Sequence, residues 1–595
     1  MKASVLFIFL FSCIFGSASG QSDILAKQYF NKGEFEKAAA SYEKLYETNP
    51  RRIDYLESLI SSWQQLEEYE KANRLLQSKT RQAVYPPQIL VQIGYNYQLQ
   101  DSMAKANEFF NKAMDKIREN PNFTSAVGNT FQKYSLLDKA LLAYNEGMRL
   151  MPRLNYDVQV ARIYGEQGDV EKMFESYLNL ILRNQAYRPT VLRNINSFVS
   201  DDPDNENNVF FRKALLKRLQ NNPDLIWNEL LSWLFVQQRQ YDKAFRQEMA
   251  IYNRSDEATL ERIIDLGREA LEYDKAVAEE IFQYLIENTL DAETKIWAYE
   301  HLLELQIAEA NTKDHQDIEK QFAMLFENFG KGEQTVGLQI QYAKFLTFGQ
   351  GETQNGITLL QEAIDTPMAR YQKAKLKMAL ADILVYDEKF NQALIYYSQI
   401  QKSLKNDVIG QQARFKVAQT SYFKGDFEWA ETQCKVLKSS TSQLIANDAL
   451  ELKLLISDNA FQDSTLTALK IYAKADLLAY QKRNKEAIAL LDEILQNHKG
   501  EKIEDEALLK QGKLLEKSGD FDKARLNYQK IVEFYPTDIL ADDAHFALAE
   551  LFVNHLGEPE KAMPHYEKII FDHPDSIFFV EARKKYRRLR GDAVN

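Results

Sequence analysis

The chain is poor in the residues that break helices and in those that build covalent or metal sites. Its 595 residues include only 13 prolines, 7 histidines and 2 cysteines. Because proline ends or kinks a helix, so few prolines fit a chain that is helical nearly throughout. One cysteine, Cys13, lies in the first twenty residues, so Cys434 has no partner for a disulfide in the rest of the chain.

Motifs for catalysis and metal binding are missing as well. The sequence has no phosphate-binding glycine loop, no His-Glu-x-x-His, no paired Cys-x-x-Cys and no nucleophile elbow. Four histidines cluster near the end, at His545, His555, His565 and His573. They are spaced too widely for metal ligands on one helix, which favour steps of three or four residues. The sequence therefore predicts no catalytic residue, no metal site and no cofactor.

The length and the net charge of the chain narrow the class of protein further. A chain of this length exceeds the ~250–300 residues at which a single compact core stops growing. The net charge is -12, which argues against a general nucleic-acid-binding protein. We therefore expect protein partners and no nucleic acid.

The first twenty residues differ from the rest. Lys2 precedes an apolar run over 5–11, and small residues fill 16–20. This pattern predicts a signal peptide over 1–20 that is cleaved before Gln21, with an uncleaved anchor helix as the alternative. Lipidation at Cys13 is a second alternative, although bulky Phe11 departs from the lipoprotein pattern. No later stretch is apolar enough to cross a membrane, so the mature chain should have no transmembrane segment.

A 34-residue repeat follows. Small residues recur at Ala38, Ala72, Ala106 and Ala140, and a large apolar residue follows each by one helical turn, at Tyr42, Leu76, Phe110 and Tyr144. Gly94 and Gly128 are matching small positions on the preceding helices. The set resembles the signature of the tetratricopeptide repeat (TPR), a helix–turn–helix unit.

A longer repeat appears after residue 330. Gly356, Ala393 and Ala430 are 37 residues apart, as are Ala487 and Ala524. The 57 residues between Ala430 and Ala487 equal one repeat plus an inserted helix and a loop at 457–459. We therefore predict an all-α, right-handed TPR solenoid with two arrays. Its segments are the signal peptide 1–20, a first array 21–186, divergent helical repeats 187–330, and a second array 331–595.

The last repeats carry a finer resemblance. Tyr535-Pro536 and His573-Pro574 each close a repeat and are followed by helix-forming residues. These phrases resemble the TPRs of exported bacterial envelope proteins, such as the TPR lipoprotein of the β-barrel assembly machinery and the Tol–Pal-associated cell-division coordinator. The resemblance implies a TPR subtype and an envelope location, not a biochemical role.

Candidate binding residues come from the TPR resemblance, since the first helix of each TPR lines the concave face. The predicted partner-binding residues are Lys27, Asn31, Gln64, Tyr95, Gln98, Asn129, Gln132 and Arg162. Three glutamines recur at one repeat position and would offer amide donors and acceptors to an extended peptide. The alternative is that these side chains are simply solvated. The chaperone-type carboxylate clamp does not carry over, because Asp23 and Lys27 stand where it needs lysine and asparagine.

The final helix is basic. Arg583, Lys584, Arg587 and Arg588 could dock an anionic partner or a lipid headgroup, which is compatible with peripheral association with the outer membrane. The alternative is a polar cap that shields the last repeat.

Together these observations predict a non-enzymatic scaffold that is exported to the bacterial periplasm and binds polypeptides. Two alternatives remain open. The chain could be a subunit of an outer-membrane assembly or secretion complex, or an enzyme with an unrecognised site in 187–330.

Overall fold

The computed structural model describes residues 23–81, 85–255, 259–437, 442–460 and 466–592. Over these residues the chain is helical and contains no strand. It divides into two compact units, residues 1–247 and 248–595. The segments predicted from repeat spacing, 21–186, 187–330 and 331–595, stay predictions.

The N-terminal unit is built from consecutive helices. They are α1 (23–31), α2 (Phe35–Thr48), α3 (Ile53–Gln65), α4 (Tyr69–Thr80), α5 (Gln88–Gln98), α6 (Met103–Glu119), α7 (Thr124–Lys133), α8 (Leu137–Leu150), α9 (Asp157–Glu166), α10 (Val170–Arg183), α11 (Arg188–Ile195), α12 (Glu206–Asn221) and α13 (Leu225–Gln237). The division between the units falls within α14 (Tyr241–Arg254).

The C-terminal unit continues in the same manner. Its helices are α15 (Glu261–Tyr273), α16 (Lys275–Asn288), α17 (Ala292–Glu309), α18 (His315–Phe329), α19 (Val336–Lys344), α20 (Thr353–Asp365), α21 (Arg370–Tyr386), α22 (Phe390–Ser403), α23 (Val408–Lys424), α24 (Phe427–Leu437), α25 (Gln443–Ala460), α26 (Thr467–Tyr480), α27 (Asn484–Asn497), α28 (Ile503–Lys517), α29 (Phe521–Phe534), α30 (Ala541–Asn554), α31 (Pro559–Asp572) and α32 (Phe579–Leu589).

The predicted alanine frame is confirmed. Ala38, Ala72, Ala106 and Ala140 are fully buried on α2, α4, α6 and α8, and the large residues one turn later are buried beside them. The first helix of each repeat also needs a small residue. At Gly94 on α5, a Cβ would lie only 2.5 Å from the Phe110 ring of α6. Gly128 stands in the same relation to Tyr144, also at 2.5 Å. Small residues therefore let the two helices of a repeat approach closely.

The turn inside each repeat is also periodic. A residue with a left-handed backbone ends the first helix at Gly33, Glu67, Asp101, Ser135 and Gly168. Glycine adopts this conformation without the steric cost that a Cβ brings, and the other three positions carry polar residues. The turns follow the same step as the alanines, so one local geometry repeats along the array.

An inserted helix interrupts the second array, as the 57-residue gap predicts. α25 and α26 follow one another between α24 and α27. The predicted loop at 457–459 is wrong, because these residues form the last turn of α25. The side chain of Asn459 donates to the Leu455 carbonyl one turn earlier, at 2.9 Å.

α26 contacts residues that come much earlier in the sequence. The Tyr480 hydroxyl donates to the Asp382 carbonyl at 3.1 Å, and Gln481 Nε2 donates to the Tyr386 carbonyl at 2.9 Å. Lys474 Nζ lies 3.1 Å from a carboxylate oxygen of Glu388. α26, the helix that follows the inserted helix α25, is therefore fixed against α21 and the turn that follows α21.

Candidate protein-binding surfaces

Four of the predicted binding residues are exposed. Lys27 and Asn31 lie on α1, Asn129 on α7 and Arg162 on α9. Lys27, Asn129 and Arg162 occupy one repeat position, so their exposure places polar groups at a recurring site on the first helices. This part of the surface can donate hydrogen bonds to a partner.

The glutamines do not form a uniform row. Gln64 is only 8% exposed, and its Nε2 donates to Asn96 Oδ1 at 3.4 Å. Asn96 is fully buried and donates to the Tyr69 carbonyl at 2.9 Å. The expectation that Gln64 faces solvent is therefore wrong, because the next repeat covers its amide.

Gln98 and Gln132 are half-buried. The Tyr144 hydroxyl lies 3.5 Å from Gln132 Oε1 and donates to Asn129 Oδ1 at 2.6 Å. Gln132 and Asn129 thus share a tyrosine from the second helix of their own repeat. A role of these residues in binding stays a prediction.

Side chains of the array itself occupy the middle of this surface. Gln92 Nε2 on α5 donates to Glu57 Oε1 on α3 at 3.0 Å. Lys133 Nζ on α7 lies 2.8 Å from the other oxygen of Glu57. Tyr95 stacks on Tyr134 with ring centroids 4.0 Å apart. Three successive first helices are therefore linked, and we expect a partner to contact the exposed positions around this cluster.

Tyr134 shows how strongly the cluster is desolvated. Burial raises the pKa of its hydroxyl well above the usual value, and the charge of Glu57 raises it further. Within the described residues this hydroxyl has no hydrogen-bond partner.

The basic helix α32 is anchored by its inner face. Ala582 is fully buried, and Lys585 Nζ lies 2.7 Å from Glu550 of α30. Arg583 and Lys584 are exposed, as is Arg588, whereas Arg587 is half-buried with its Nε 3.9 Å from Asp592. α32 therefore covers the last repeat and also presents cations to solvent, so both interpretations of this helix fit its geometry.

Three of the clustered histidines lie close together. His545 on α30 and His565 on α31 approach with their Nδ1 atoms 2.9 Å apart, and the His573 ring centroid lies 6.2 Å from that of His545. Within the described residues no group of three potential ligands is arranged to hold a metal ion. Burial lowers the pKa of His545 to about 4, with His565, His573 and Lys568 adding repulsion and Asp572 opposing it.

We expect acid to destabilise the last repeats through the buried pair His545 and His565. A depressed pKa means that the fold favours neutral imidazole, so the stability is complete above pH 6.5 and is lost as pH falls towards 4. At pH 5 the loss should be roughly 1–2 kcal/mol. Thermal melts at pH 7.5 and 5 should show a smaller acid shift for H545Q than for the unchanged chain. The control variant H498Q, which removes a half-buried histidine that pairs with Glu501, should keep the full acid shift. Equal shifts in all three proteins would contradict the assignment to His545.

The sequence did not predict a cavity that lies next to the inserted helix α25. It encloses about 660 Å³ between α23, α25, α26 and α28. The 57-residue gap was the available signal, but a gap gives no information on where an inserted helix packs. Cys434 lies nearby on α24 and is buried as expected, and burial raises the pKa of its thiol to about 11.

Comparisons with known proteins agree with the repeat frame. Family models described as "Tetratricopeptide repeat" match residues 24–52 and 472–539. The comparison with curated proteins gives no match. The predicted fold class, an all-α TPR solenoid, is confirmed by these matches and by the helical architecture. Two stretches of the chain are thus similar to tetratricopeptide repeats, and the helical architecture is that of a TPR-type solenoid.

Two solved structures give full-length but weak likenesses. One is a chain of the APC/C hetero-tetramer Cut9–Hcn1, with 12% identity, a TM-score of 0.24 and 96% of both chains covered. The other is a chain of Naa15/Naa10 bound to HypK-THB, with 11% identity, a TM-score of 0.26 and 97% of both chains covered. These scores are too low to support an argument about this chain.

The described residues contain no helix that is both long and apolar enough to span a membrane. The predicted signal peptide and Cys13 lie outside the described residues.

Proposed function

We propose that the protein is a non-enzymatic scaffold of the bacterial cell envelope, exported to the periplasm, that binds partner polypeptides through the first helices of its N-terminal TPRs. The observation that carries this proposal is the exposure of Lys27, Asn129 and Arg162 at one repeat position. Side chains that the fold does not bury can form hydrogen bonds with a partner without disturbing the core.

The envelope assignment has separate support. It rests on the signal-peptide pattern of 1–20 and on the resemblance of the repeats that close at Tyr535-Pro536 and His573-Pro574 to those of envelope TPR proteins. A scaffold of this kind could also serve as a subunit of an outer-membrane assembly or secretion complex. Peripheral association with that membrane is compatible with the exposed Arg583 and Lys584.

The binding proposal is tested by partner capture. The variant K27A/N129A/R162A should bind its partners about 10- to 1,000-fold more weakly and recover correspondingly less of them from cross-linked envelope fractions, because each of three lost hydrogen bonds contributes roughly 0.5–1.5 kcal/mol. Its melting temperature should fall only slightly, because all three side chains are exposed and N129A removes a single hydrogen-bond acceptor, that of the Tyr144 hydroxyl.

A matched control removes the same charge from the second helices. K44A/N111A/K112A changes three exposed residues on α2 and α6 and should leave capture unchanged. An equal loss of partner capture in both variants would show that capture depends on the net charge and not on the position of these residues. Loss only when Arg583 and Lys584 are replaced would move the binding surface to α32.

Export is tested by the mass of the mature chain. We expect the protein to begin at Gln21, to carry no lipid and to fractionate with soluble periplasm. A diacylglycerol adduct on Cys13 would contradict the cleavage site and place the protein on a membrane. Retention of residues 1–20 would instead indicate an anchor helix.

A further inference from the structure

The cavity beside the inserted helix α25 is lined mainly by residues of four helices, α23, α25, α26 and α28. Lys510, Lys513 and Lys517 of α28 contribute to it, and their steps of three and four residues put them on the same face. α25 contributes Asp448 and Glu451, again three residues apart. The cavity depends on the inserted helix α25, because α25 supplies one of its walls.

The floor of the cavity is apolar. Phe415 and Phe423 of α23 and Leu452 and Leu455 of α25 line it. Tyr422 is 1% exposed, and its hydroxyl donates to Asp476 Oδ2 at 3.0 Å. Fixed aromatic and aliphatic side chains of this kind favour the burial of an apolar group.

The charge at the base of the cavity is already balanced. Asp476 of α26 forms an ion pair with Lys510 and accepts the hydrogen bond from Tyr422. Lys513 Nζ is 3.7 Å from Asp543, so it is also compensated. These contacts maintain the walls and leave other charges for a ligand.

The remaining charges are separated by sign. Lys482 and Lys517 are exposed on the α26–α27 turn and on α28, and neither forms an ion pair with another described residue. Asp448 and Glu451 on the α25 side likewise have no ion-pair partner within the described ranges. The uncompensated cations of the lining thus lie on α28 and the α26–α27 turn and the uncompensated anions on α25, and the lining also contains an apolar floor.

We propose that this cavity binds a segment of a partner polypeptide in which an apolar side chain lies between an acidic and a basic side chain. The apolar side chain enters the floor, the acidic one faces Lys482 and Lys517, and the basic one faces Asp448 and Glu451. The inference rests on the proposed scaffold function and names the chemistry of a second partner contact. A cavity of about 660 Å³ has room for such side chains and lies in the size range of ligand sites.

Charge complementarity decides against other occupants. A fatty acid or a wholly acidic segment would satisfy the lysines but would bring negative charge near Asp448 and Glu451. A wholly basic segment would bring positive charge near Lys482 and Lys517, and like charges repel there as well. Only a segment with both signs satisfies both sides.

The test measures the binding of labelled nine-residue peptides to the mature chain by fluorescence anisotropy. Each peptide is a Gly/Ser sequence with one of five central triplets: Glu-Phe-Lys, Lys-Phe-Glu, Glu-Ser-Lys, Glu-Phe-Glu or Lys-Phe-Lys. We expect one of the two mixed-charge phenylalanine peptides to bind about tenfold more tightly than the serine and single-sign peptides. K482E/K517E should lose that preference and favour Lys-Phe-Lys. D448K/E451K should instead favour Glu-Phe-Glu.

The controls separate this inference from the proposed function. K499E/K530E places the same charge change at exposed residues outside the cavity lining and should bind the peptides as the unchanged chain does. K27A/N129A/R162A should also bind them normally, whatever its effect on partner capture. No preference among the peptides, an equal loss with K499E/K530E, or tighter binding of dodecanoate than of any peptide would overturn the proposal. Failure of partner capture with intact peptide binding would instead count against the N-terminal surface.

Discussion

Replacing Ala106 with phenylalanine should lower the free energy of unfolding of the N-terminal unit by roughly 1–3 kcal/mol or more. Ala106 is fully buried on α6 and packs against α5. A Cβ on Gly94 would already lie 3.1 Å from the Ala106 carbonyl and 2.5 Å from the Phe110 ring. A further ring has no space at this crossing, so α5 and α6 would have to separate.

The same substitution two residues earlier provides the control. Ala104 is exposed on α6, so Ala104→Phe adds the same ring to solvent and should change the melting temperature little. Thermal unfolding followed by far-UV circular dichroism compares the two variants. An unchanged melting temperature for Ala106→Phe would mean that the repeat frame is misassigned.

Replacing Trp227 with alanine should have the largest effect on stability, about 3–5 kcal/mol. Trp227 on α13 is 1% exposed, and the Arg218 guanidinium lies over its ring at 5.4 Å. Arg218 in turn donates to Asn179 of α10 at 2.8 Å and pairs with Glu175. Loss of the indole therefore leaves a cavity and also removes the support of an arginine that links α12 to α10.

An exposed tryptophan serves as the comparison. Trp429 is 50% exposed, so Trp429→Ala should cost much less than Trp227→Ala. Hydrogen exchange should report faster opening of α12 and α13 in the Trp227 variant. Similar protection of these helices in both variants would contradict the packing described for Trp227.

The helical repeat could be predicted from the sequence because its determinants are local. Ala38 and Tyr42 are one turn apart, and the small and large volumes they bring to one face specify how two neighbouring helices pack. The turn residues Gly33 and Gly168 are equally local. Such features repeat at a fixed step, so they are visible without any knowledge of distant contacts.

The candidate sites depend on contacts that the repeat step does not encode. Gln64 is covered by Asn96 from the next repeat, and Glu57 pairs with Lys133 two repeats away. Identical positions in a repeat can therefore differ in exposure. The C-terminal cavity depends on α26 packing against α21, through hydrogen bonds between residues as far apart as Asp382 and Tyr480.

The most direct test of the scaffold proposal is to place a photo-reactive side chain at single positions in the living cell. A group at Asn129 on α7 should cross-link to a partner polypeptide, whereas the same group at Asn111 on the second helix α6 should not; both residues are exposed. Cross-links at Asn129 that disappear in a K27A/R162A background are the predicted result. Cross-links at Asn111 but none at Asn129 would show that partners bind the opposite face of the repeats.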